Sequence, residues 1–167
     1  MIAKPASAPL LAGLFALVAA GSAIAGALIA QYGFDLYPCV LCHYQRWAQF
    51  AALGCGLLAV MTWRRQIGWF FAWLAALCFL GSAAIALFHV GVEAFWWAGL
   101  EGCSAPDFGG GMSREAIKQA ILEAPVVSCD EVPFRFLGFS MAGWNLIFSL
   151  VAAVVVAWLL RRQGASA

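Results

Sequence analysis

Charge is what this chain has least of. Nine Lys and Arg and eight Asp and Glu make 10% of its 167 residues, where a soluble domain carries about 25%. A surface that poor in charge excludes an ordinary water-soluble fold. Histidine is scarcer still, at two residues, and a net charge of +1 gives no basic face. Nothing in the composition points to nucleic acid, a nucleotide or a metal site.

What the chain has instead is apolar length, with 65% hydrophobic residues. Four apolar runs, at about 10–30, 40–63, 67–90 and 141–160, each reach the roughly 20 residues a helix needs to cross about 30 Å of hydrocarbon. In lipid the backbone must satisfy its own hydrogen bonds, so such runs span as helices. The expectation is an all-α membrane protein, a four-transmembrane-helix bundle forming a single integral-membrane domain over 1–167. The first run follows Lys4 and resembles a secretory signal. Its apolar core is longer than the 7–15 residues usual for a signal, so it reads as a retained span.

Lys4, Arg64, Arg65, Arg161 and Arg162 fall on one side of four such spans. All eight acids fall on the other: Asp35, Glu93, Glu101, Asp107, Glu115, Glu123, Asp130 and Glu131. The positive-inside rule puts both termini in the cytoplasm and leaves outer loops at about 31–39 and 91–140. Trp96, Trp97 and Trp144 then lie near the outer boundary, and Trp63, Trp69 and Trp158 near the inner one, as interface anchors.

Four of the six cysteines are on the outer side, where disulfides persist if this is a bacterial inner membrane. Cys103 and Cys129 lie in the long loop, amid turn-prone residues and the glycines of "FGGGM" at 108–112. They are open to two readings, a structural disulfide or a moving exchange pair. Between them "SREAIKQAILEAP" predicts a short surface helix, capped by Ser113 and stopped by Pro125. Cys55 lies 13 residues below Cys42, about 20 Å along a helix. It and Cys78 read as buried apolar filler.

"YPCVLCHYQRW", residues 37–47, carries the chemistry. Pro38 favours a helix start after it, and Cys39, Cys42, His43 and Arg46 follow at offsets that share one helix face. A helix N-terminus and a nearby cation both favour a thiolate. Arg46 lies a turn below Cys42 within an apolar run, where an unpaired charge costs about 2.5 kcal/mol or more. Its alternatives are a functional cation or a side chain snorkelling to the outer head groups. Cys-x-x-Cys-His is also the attachment signature of c-type haem. That reading needs His43 and His89 as ligands and leaves Arg46, Cys103 and Cys129 unexplained. His89, in the last turn of the third run, is open to pairing with Glu93 or to hydrogen-bonding a carbonyl ligand.

Taken together, "PCVLCHYQR" atop the second of four spans, a cysteine pair in the outer loop, and "FLGFSMAGWN" at 136–145 resemble the DsbB family of inner-membrane disulfide-forming quinone reductases. The resemblance implies catalytic cysteines at Cys39, Cys42, Cys103 and Cys129. It implies that a periplasmic thioredoxin-like protein of the DsbA type attacks a Cys103–Cys129 disulfide at Cys103, and that Cys129 then attacks Cys39. Cys42 would be released as a thiolate beside Arg46, which with His89 would face ubiquinone or menaquinone. The residue-level alternatives remain a non-enzymatic four-helix protein with structural disulfides, a c-type haem protein, or an enzyme resembling vitamin K epoxide reductase.

Overall fold

The computed structural model describes residues 7–100, 103, 113–115, 118 and 127–165. Four long helices account for most of them: α1 (Ser7–Gly33), α2 (Val40–Met61), α3 (Gln66–Glu93) and α4 (Met141–Ala165). They coincide with the four apolar runs to within five residues at each end. The predicted surface helix after Ser113 and the glycines at 109–111 lie largely outside the described residues.

The helices form a closed ring in which α2 packs on α1 and α3, and α4 on α3 and α1. Their contact surfaces are built from small side chains. Ala8, Ala12, Ala16 and Ala20 recur every four residues on α1 and are fully buried. Ala52 and Ala59 of α2 and Ala72, Ala75 and Ala76 of α3 join them in one buried cluster. The large apolar side chains, among them Leu14, Val18, Phe70, Leu77, Val151 and Val154, point outward. A small-residue interior under an apolar exterior is how helices pack in lipid, where close backbone approach replaces the hydrophobic effect as the adhesive.

Three helices, α1, α3 and α4 over Met141–Arg162, are long and apolar enough to cross a membrane. The expectation of four spans is met by three on composition. The fourth, α2, is diluted by His43, Gln45, Arg46 and Gln49 in its N-terminal half.

At the closest crossing, Gly13 of α1 faces Gly56 of α2. A Cβ on Gly13 would lie 2.9 Å from both Gly56 O and Val60 Cγ2. We expect Gly13→Leu to destabilise the bundle by about 1–3 kcal/mol and to lower its thermal midpoint in detergent. Gly54→Leu, with open space around it, serves as the control. Equal midpoints for the two variants would count against this crossing.

Helix ends are set locally. The turn from α2 to α3 is short, with Arg65 N–H donating to Thr62 O and Gly68 N–H to Arg65 O. Arg64 lies over the Trp63 ring and Arg162 over Trp158, each 4.7 Å from the centroid, marking one end of the bundle as basic and aromatic. At the other end a two-stranded hairpin, β1 (Arg135–Phe136) and β2 (Phe139–Ser140), precedes α4. Its two-residue turn holds Leu137 and Gly138 at positive φ, as a tight hairpin requires. The sequence reading missed these strands because each is only two residues long.

Candidate functional site

The site lies at the hairpin end of the bundle. Cys39 is the N-cap of α2, in extended conformation after Pro38, and its Sγ accepts from Cys42 N–H (3.4 Å). One turn of helix therefore holds the two sulfurs 3.1 Å apart, both as thiols and hydrogen-bonded to each other. Cys103 and Cys129 are joined as a disulfide, with Cα atoms 4.9 Å apart. Their segments are also tied by Cys129 N–H donating to Cys103 O (2.7 Å).

The two pairs are neighbours. Cys39, Cys103 and Cys129 belong to one buried cluster with Leu41 and Val92, and Cys42 packs against it. His89 of α3 joins the pairs: its Nε2 lies 3.6 Å from Cys39 Sγ and 3.2 Å from Cys129 O. Glu93, one turn on, sits 3.8 Å from Nε2, the pairing that the sequence allowed, and accepts a hydrogen bond from Ser140. The disulfide thus shares one buried cluster with the cysteine that the resemblance names as its exchange partner.

Beside these groups is a cavity of about 380 Å³, within the size range of small-molecule sites. Cys42, Arg46, Gln49 and His89 reach its wall, and Ile24, Met141 and Phe148 give it an apolar lining. Arg46 does not snorkel into solvent. Its guanidinium is half-buried and donates to Gln31 Oε1 and to Ala27 O (3.1 Å) near the end of α1. Two of its N–H groups are thereby used, and its charge acts on Cys42 through space. The shared face predicted from spacing holds for Cys39, Cys42 and Arg46. His43 is exposed on α2 and is absent from the cavity wall. The haem reading required both histidines, and here His43 is exposed while His89 is buried beside Cys39.

Sequence reasoning overlooked a polar chain beneath the cavity. Gln45 Nε2 meets His89 Nδ1 (3.0 Å), Asn145 Nδ2 donates to Gln45 Oε1 (2.7 Å), and Gln49 Nε2 lies within hydrogen-bond distance of Ser149 Oγ (2.9 Å), Asn145 Oδ1 and Ser82 Oγ (both 3.2 Å), which share its two N–H groups. It links α2, α3 and α4 and fixes the His89 ring from behind. The signal was available as polar residues four apart inside apolar runs, Gln45 with Gln49 and Asn145 with Ser149. Gln49 Oε1, buried, has no hydrogen-bond partner among the described residues. Cys55 and Cys78, expected as apolar filler, pack partly buried against the small-residue core of α2 and α3.

At the N-cap, the Cys39 thiol is held well below the usual thiol range. The hydrogen bond from Cys42 is the largest cause, burial opposes it, and His89 adds to the lowering. An unfolded thiol titrates near about 8.5. A depressed folded value means that the thiolate's stabilisation is complete above that pH and fades as pH falls through the folded value. We expect thiolate ultraviolet absorbance in the dithiol protein to persist well below pH ~8.5, and Cys42→Ala to move the titration back up. A wild-type titration in the ordinary thiol range would refute this.

Comparison with known proteins follows the same lines. The family model for disulfide bond formation protein DsbB matches residues 9–159. A disulfide bond formation protein B of Mannheimia succiniciproducens is 30% identical over 141 residues, covering 82% of this chain and 77% of the relative. Those of Actinobacillus pleuropneumoniae (33% over 145 residues, 81% and 77%) and of an Acidovorax species (29% over 160 residues, 86% and 87%) are similar to it as well.

Proposed function

The chain belongs to the DsbB family of membrane disulfide-forming oxidoreductases, and from that premise we propose that it reoxidises a periplasmic DsbA-type dithiol and passes the electrons to a membrane quinone. The observation that carries the reading is the gathering of the two cysteine pairs in one buried cluster. His89 Nε2 meets both Cys39 Sγ and the Cys129 carbonyl, an arrangement that suits exchange between the disulfide and the dithiol.

In this reading all of 1–167 is one integral-membrane domain with four spans, α2 crossing in the shelter of α1 and α3. Both termini are cytoplasmic, and the hairpin end, with the four redox cysteines, faces the periplasm. Exchange proceeds by thiolate attack through mixed disulfides. With Cys39–Cys42 as a disulfide, a partner thiolate attacks Cys103, and Cys129 leaves as a thiolate. Cys129 attacks Cys39, and the electron pair of the broken bond stays on Cys42. A second partner thiol then resolves the Cys103 bond, leaving the partner oxidised. The freed Cys103 thiolate attacks Cys129 and expels Cys39 as a thiolate, which restores Cys103–Cys129 beside the Cys39 and Cys42 dithiol, the arrangement described above.

The cavity suits ubiquinone or menaquinone, which supplies an acceptor for two electrons and two protons. The remaining N–H groups of Arg46 are placed to donate to a carbonyl. His89 holds Cys39 and the Cys129 carbonyl on the cavity's flank, which keeps both sulfurs beside the acceptor.

The test is a trapping experiment. Mixing the oxidised wild-type protein with a reduced DsbA-type partner whose second active-site cysteine is replaced by serine is expected to give a disulfide-linked complex through Cys103, visible without reductant and absent for Cys103→Ser. No complex, in protein whose Cys103–Cys129 and Cys39–Cys42 pairs are both oxidised, would reject the order of exchange.

A further inference from the structure

The dithiol state brings three soft or borderline donors to one point. The ligating atoms of Cys39, Cys42 and His89 all lie within 4.8 Å of one another. The sequence argued for no metal site, because the histidine that completes this group comes from another helix, 47 residues after Cys42. The spacing is close to what a tetrahedral ion demands. With metal–sulfur bonds of about 2.3 Å and metal–nitrogen bonds of about 2.05 Å, tetrahedral angles set S···S near about 3.8 Å and S···N near about 3.6 Å. Cys39 Sγ to His89 Nε2 is 3.6 Å. The sulfurs, 3.1 Å apart, need only open by a side-chain rotation, and Cys42, at the first turn of α2, borders the cavity into which it can turn.

We propose that Cys39, Cys42 and His89, in the dithiol state, bind a divalent cation of the Zn²⁺ class through two thiolates and one imidazole, with the fourth position open to the cavity. Two protons leave the thiols and no electron moves, so the metal remains divalent. Two thiolates neutralise it, which suits a buried site where net charge is costly. Cys-x-x-Cys at a helix start with a histidine from elsewhere is a donor set that favours zinc over harder ions. Outer support is present, since His89 Nδ1 rests on the Gln45 amide, which serves as donor or acceptor by a half-turn. The site exists in one redox state only: a Cys39–Cys42 disulfide has no thiolate to give. If the proposed function holds, bound zinc takes both sulfurs out of exchange and arrests turnover.

Cobalt(II) is the probe. The full chain is purified in detergent with Cys55, Cys78, Cys103 and Cys129 replaced by alanine, then reduced and titrated without oxygen. One equivalent is expected to produce thiolate-to-cobalt charge transfer in the near ultraviolet and the intense visible bands of a tetrahedral site, both bleached by Zn²⁺. Cys39→Ser is expected to halve the charge-transfer intensity, and His89→Ala to weaken binding by about tenfold or more. Retained helical circular dichroism qualifies each variant, and Cys39→Ser alone decides if His89→Ala does not fold. Absence of the bands in folded, reduced protein would overturn the proposal. So would bands indifferent to the substitutions, or bands that persist after Cys39 and Cys42 are oxidised to a disulfide. No quinone or partner enters the measurement, so it stands or falls apart from the quinone reading.

Discussion

Cys42→Ser is expected to abolish steady-state quinone reduction while leaving one round of disulfide exchange intact. The variant keeps the Cys103–Cys129 disulfide, which a reduced DsbA-type partner can still open. Electrons then have nowhere to go, because Cys39 alone cannot form the second disulfide and serine provides no thiolate. Partner oxidation should therefore stop after a single equivalent, and absorbance of added quinone should stay flat. A protein with merely structural disulfides predicts otherwise, since wild type and variant would both be silent towards quinone and reduction would chiefly cost stability. Wild-type turnover that survives in Cys42→Ser would remove this cysteine from the redox pair. No wild-type turnover with any quinone, in folded and oxidised protein, would remove the enzyme reading altogether.

How much of this was legible in the sequence depends on how local the cause was. The helices were, because apolar length is a property of consecutive residues; even the N-cap of α2 could be anticipated from Pro38. Cys39, Cys42 and Arg46 were placed by a spacing of three and seven on one helix. The neighbours that complete the site were not, because they come from other elements. Spacing could not say that His89 Nε2 would touch both Cys39 Sγ and the Cys129 carbonyl, or that Gln45 would hold the ring from behind. Nor could it say that Arg46 would turn to Gln31 and the Ala27 carbonyl on α1. The polarity of α2, which keeps its composition short of a span's, has the same kind of cause. Its polar residues are tolerable only because α1, α3 and α4 supply partners, and hydropathy along one segment does not see them.

Arg46→Ala carries the second large expected effect, on quinone affinity rather than on disulfide exchange. The guanidinium is anchored by Gln31 and Ala27 O, so it stays on the cavity wall and does not swing to the head groups. A hydrogen bond from a charged group is worth about 1.5–3 kcal/mol, which corresponds to a KM for quinone higher by roughly 10- to 150-fold. Trapping of the Cys103 complex should proceed as in wild type, because none of Arg46's hydrogen bonds reaches Cys39, Cys103 or Cys129. Arg46→Lys should restore only part of the loss, since one ammonium cannot span both α1 acceptors and a ligand as the planar fork does. If Arg46→Ala left KM unchanged and slowed the trapping step instead, the arginine would belong to the exchange machinery. The cavity would then lose its principal claim to the quinone.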